Sequence, residues 1–115
     1  MKNDFLGQTM NILIIAAVLF IITAILHLSA LVRFGNNAAT RPIAAFGVIY
    51  LILGLLILLR TFSWTPIVAL ILTLIGGGGA FASINANPEL RSLKLLLIAI
   101  DVVIVGLLAI NLFAG

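Results

Sequence analysis

Asp101 stands in the run Leu95-Leu96-Leu97-Ile98-Ala99-Ile100-Asp101-Val102-Val103-Ile104-Val105, a carboxylate set among aliphatic side chains. On insertion scales an ionisable group at such depth costs about 2.5–3.5 kcal/mol, so it is expected to face protein or trapped water and to have a partner. Two suitable side chains lie in other apolar runs: His27, with Thr23 one turn before it, and Tyr50. An imidazole can exchange a proton with a carboxylate, and a phenol can donate a hydrogen bond to it. The chemistry on offer is therefore a hydrogen-bonded clamp, a site for a proton or small solute, or a contact with a different subunit. Catalysis is not expected, because the chain has no nucleophile elbow, no HExxH and no phosphate-binding loop. With one histidine and no cysteine, neither a metal nor haem is expected.

The surroundings of Asp101 follow from composition. Of 115 residues, 64% are hydrophobic and 8% are charged, whereas soluble domains carry about 25% charged residues. The chain therefore reads as an integral membrane protein. A net charge of +3 is too small and scattered for nucleic acid, and the basic residues flank apolar runs as topology signals do. The first apolar run, from about Asn11 to Val32, is longer than the ~7–15 residues of a signal peptide core. It is read as a retained span.

Punctuation divides the chain into four spans, about 9–33, 42–60, 65–84 and 89–113, forming one all-α domain over residues 1–115. Before them, Met1–Met10 is a polar head in which Asn3 or Asp4 could cap a turn and Phe5 and Leu6 could lie in the interface. The first connection is Gly35-Asn36-Asn37-Ala38-Ala39-Thr40, and Pro42 suits the first turn of the second helix. Arg60 is expected to end that helix, and Thr61-Phe62-Ser63-Trp64-Thr65-Pro66 to form a hairpin with Ser63 or Thr65 as cap and Trp64 at the membrane boundary. In Asn85-Ala86-Asn87-Pro88-Glu89, Asn87 is expected to cap the fourth helix, with Pro88 at its first position and Glu89 favoured by the helix dipole. Short connections favour an up-down-up-down bundle.

Counting along the helices places the polar groups together. The first and third connections lie on one side of any four-span chain. At 1.5 Å per residue, His27, Tyr50, Gly79 and Asp101 are all ~9–12 Å from that side. Because first and last helices are commonly adjacent in such bundles, His27 is the preferred partner of Asp101 and Tyr50 the second choice. Gly47, Tyr50 and Gly54 share a face that allows close helix approach. Four consecutive glycines, Gly76, Gly77, Gly78 and Gly79, are expected to bend the third helix, to pack closely, or to touch a ligand. In the fourth span Ala99, Gly106 and Ala109 share a face about 200° from Asp101, so if the acid points inward that stripe is free to receive another helix. Arg33, Arg41, Arg91 and Lys94 flank the first and third connections, against Lys2 and Arg60 opposite. This bias places both termini on the non-cytoplasmic side of a bacterial-type inner membrane.

Two functions fit. One is an accessory subunit that packs against a larger membrane complex, with other transmembrane helices and lipid as partners; no cofactor is assigned, and contact with pigment, quinone or lipid is left open. The other is a homodimeric small transporter or channel using Asp101 and His27. Small multidrug transporters share the length, but their hallmark is a glutamate in the first span, where this chain has only His27. Small fluoride channels are similar in size, yet their asparagine- and threonine-rich pore pattern is missing. Gly47 to Ala82, a glycine-punctuated second span followed by a glycine- and alanine-rich third, resembles DoxX-type four-helix membrane proteins over about a third of the chain; no residue role or activity is carried over from it.

Overall fold

A computed structural model describes the backbone of residues 2–59 and 63–114 and the side chains of residues 11–59 and 63–113. The side chains of Asn3, Asp4, Phe5 and Leu6, and the whole of Arg60, Thr61 and Phe62, lie outside the described residues. Four helices follow in order: α1 Lys2–Phe34, α2 Arg41–Leu59, α3 Thr65–Ala82 and α4 Arg91–Ala114. All four contain stretches long and apolar enough to cross a membrane, and the chain is a four-helix integral membrane bundle. Helix α1 runs unbroken through the polar head, 33 residues in all. That is about 50 Å at 1.5 Å per residue and accounts for the 50 Å long axis.

Local chemistry sets the ends. Helix α1 stops where Gly35 takes φ 85°, a left-handed backbone that side chains other than glycine resist. In the turn that follows, Asn37 Oδ1 accepts the amides of Ala39 (2.9 Å) and Thr40 (3.1 Å). The Thr40 hydroxyl donates to Gly35 O at 2.6 Å, closing the connection. Helix α3 begins after Trp64 with Pro66 in its first turn, and no side-chain cap forms there. Instead of capping, Thr65 is the first helical residue, and its buried Oγ1 has no partner among the described residues. Helix α3 ends at Ala82, two residues earlier than expected, because Ser83 leaves helical geometry while its N–H and hydroxyl both bond Gly79 O. Pro88–Leu90 forms a separate 3-10 turn before α4 starts at Arg91. Asn87 precedes that turn in an extended conformation and makes no side-chain cap bond, correcting the expected cap.

The helices pair as two hairpins, α1 on α2 and α3 on α4, joined mainly through α1 against α4, with thin contact between α2 and α3. The α1–α2 seam is the tightest. A Cβ added to Gly47 would lie 2.8 Å from His27 Cβ and 3.1 Å from Ala24 O; one added to Gly54 would lie 3.0 Å from Phe20 Cβ and 3.1 Å from Ala17 O. Both glycines and both alanines are spaced by seven, so two turns of each antiparallel helix repeat the same close approach. Ala17, Phe20, Ala24, Tyr50, Ile104 and Leu108 form the buried core. Outward stand large apolar side chains such as Ile25, Ile52, Ile71, Phe81 and Val102, the arrangement lipid solvent demands.

Candidate functional site: a buried tyrosine–carboxylate layer

Tyr50 is the centre of the layer, and the seam puts it there. With Gly47 and Gly54 drawing α1 against α2, the Tyr50 ring is fully buried. It lies 5.5 Å from the Phe20 ring and 5.8 Å from Phe46, and meets His27 edge-on at 5.0 Å and 89°. These tilted contacts suit the quadrupoles of aromatic rings. They aim the phenol across the diagonal of the bundle, where its hydroxyl donates to Asp101 Oδ2 on α4 at 3.4 Å.

The glycine run makes room for that crossing. A Cβ on Gly76 would fall on the Tyr50 hydroxyl, and a Cβ on Gly77 would sit 3.3 Å from Asp101 Oδ2. Successive helix positions differ by about 100°, so one glycine clears the donor and the next clears the acceptor. Gly78 and Gly79 have no neighbour within 4 Å of such a Cβ. The run stays helical throughout.

His27 does not reach Asp101, contrary to the preferred pairing. Its Nδ1 lies 2.6 Å from Thr23 O, one turn back on its own helix, and 3.3 Å from Thr23 Oγ1. A carbonyl only accepts, so Nδ1 carries the hydrogen and donates it there. Histidine thus contributes a perpendicular ring contact to Tyr50 and no bond to the acid. Asp101 is 3% exposed, its Oδ1 is buried, and that oxygen has no partner among the described residues. Thr23, His27, Tyr50 and Asp101 are all buried; Ala99 and Gly106 lie exposed on another face of α4, with Ala109 half-buried.

One member of the site's surroundings was not anticipated from the sequence. Lys94, counted above as a topology charge, is buried, and its Nζ donates to Ser83 O (2.9 Å) and Ser83 Oγ (3.0 Å). The end of α3 is thereby fastened to the first turn of α4. A lysine four residues into an apolar helix beside a serine-bearing loop was the available signal. Among the described residues no cluster of three His, Asp or Glu side chains forms a metal site. No protein-family model matches the chain, and no curated protein or solved structure matches it, so none of the comparisons supports the DoxX-type resemblance of Gly47 to Ala82.

Proposed function

We propose that the chain is a non-catalytic membrane subunit that packs against a larger membrane complex. The observation that carries this reading is the α4 face bearing Ala99 and Gly106. It is exposed, a Cβ at Gly106 would meet nothing within 4 Å, and it is turned away from the buried Asp101. Small residues on a lipid-side face let a second helix backbone approach closely. Inside the protomer the Tyr50 hydroxyl and the His27 Nδ1 are bonded within the chain, which suits a clamp holding helices at fixed spacing. Under this reading the connections near Arg33, Arg41, Arg91 and Lys94 lie in the cytoplasm and the termini outside it.

Purification in mild detergent tests it. Larger partners should co-purify in stoichiometric amount and be lost in Gly106→Leu, with the protomer's thermal stability undiminished. A chain that purifies alone, or whose associations ignore Gly106→Leu, overturns it.

One observation favours the second reading, a homodimeric transporter: Asp101 leaves Oδ1 without a donor among the described residues and lines a groove of about 350 Å³ with Thr73, Gly77 and Gly78. A carboxyl group with a spare acceptor beside an open groove can take a proton or a cation. That reading expects an isolated dimer whose proton or cation flux in liposomes disappears in Asp101→Asn. Flux unaffected by the substitution removes it.

A further inference from the structure

A second cavity, of about 370 Å³, opens where the first connection, α2, α3 and the start of α4 converge. That volume falls in the range of small-ligand sites. Its walls include Ile43, Phe46, Ala80 and Leu97, and three nitrogen-bearing side chains, His27, Asn87 and Lys94, line it from different elements. Lys94 is 5% exposed. Both acceptors of its ammonium belong to Ser83 and are neutral, and among the described residues no carboxylate pairs with it. A buried ammonium without a counter-charge is costly, and the cost is relieved by an anion delivered to it.

We infer that this cavity binds an apolar monocarboxylate, with the carboxylate on Lys94 and the hydrocarbon body against Phe46, Ile43 and Leu97. The third ammonium hydrogen is the one left to meet the ligand, since two are held by Ser83. Most of the lining is apolar, with Ser83 and Asn87 as further polar side chains, so a ligand that brings its own apolar surface suits the cavity better than a bare inorganic anion. His27 also lines the cavity, but its Nδ1 hydrogen is committed to Thr23 O. A single carboxylate matches the one cation present; a phosphate dianion would bring a second charge with no partner.

The test uses the full chain in nanodiscs of zwitterionic lipid, with a fluoronaphthoate as probe and fluorine NMR as readout. Saturable binding is expected, with at least tenfold weaker binding of the matching neutral naphthyl alcohol and of the acid to Lys94→Met, because a charge-assisted hydrogen bond is lost in each. Ala80→Phe, which fills the cavity, should abolish binding, and it decides the matter if Lys94→Met does not fold. Equal binding of acid and alcohol, an unaffected Lys94→Met, or an unaffected Ala80→Phe overturns the proposal. So does displacement of the probe by inorganic phosphate or by an anionic phospholipid in preference to octanoate.

Discussion

The Tyr50–Asp101 crossing can be tested through the glycine that makes room for it. In Gly76→Ala the new methyl would occupy the place of the Tyr50 hydroxyl and stand 3.1 Å from the Phe46 ring. Overpacking of this kind costs about 1–3 kcal/mol, and the displaced hydrogen bond adds about 0.6–2 kcal/mol by membrane-protein standards. Alanine's better helix propensity returns about 1 kcal/mol, leaving a net loss of about 0.6–4 kcal/mol. Tyr50→Phe alone removes the donor and leaves both Asp101 oxygens without one among the described residues, at about 1–2 kcal/mol. The two losses should not add, because the phenylalanine vacates the volume the methyl needs. The double variant is expected to be no less stable than Tyr50→Phe, giving a favourable coupling equal to the Gly76→Ala loss, about 0.6–4 kcal/mol. Reversible unfolding in mixed detergent micelles, followed by circular dichroism for all four proteins, measures it. Losses that sum to within about 0.5 kcal/mol would refute the claim that Gly76 exists to clear the phenol.

The same scale applies elsewhere in the bundle. Gly47→Ala should destabilise by about 1–3 kcal/mol, since its Cβ would press on His27 Cβ and Ala24 O, whereas Gly79→Ala, facing open space, should stabilise by about 0.5–1 kcal/mol; equal effects in a thermal melt would contradict the packing described. Thr23→Val should cost less than about 1 kcal/mol and leave the histidine ring in place, because the Thr23 carbonyl, not its hydroxyl, makes the short bond; a shifted His27 ring signal in NMR would count against this. Asn37→Ala removes an acceptor for two amides and should cost about 0.5–2 kcal/mol, with faster hydrogen exchange at Ala39 and Thr40 as the local sign.

Length, apolarity and punctuation decided the four helices in advance, since a span of lipid-soluble residues has no alternative to satisfying its backbone within itself. The shared depth of His27, Tyr50 and Asp101 was legible too, because helix rise converts residue counts directly into height. Rise says nothing about which side chain turns toward which. His27 had a carbonyl on its own helix to bond, and only the closeness of the α1–α2 seam carried Tyr50 across the diagonal to the acid. The division of labour within the glycine run, and the burial of Lys94 against Ser83, likewise depended on where α3 lies beside α2 and α4. Sequence periodicity is a property of single helices; the partner of a buried polar group is set by how helices approach one another, and that emerged only in the packed bundle.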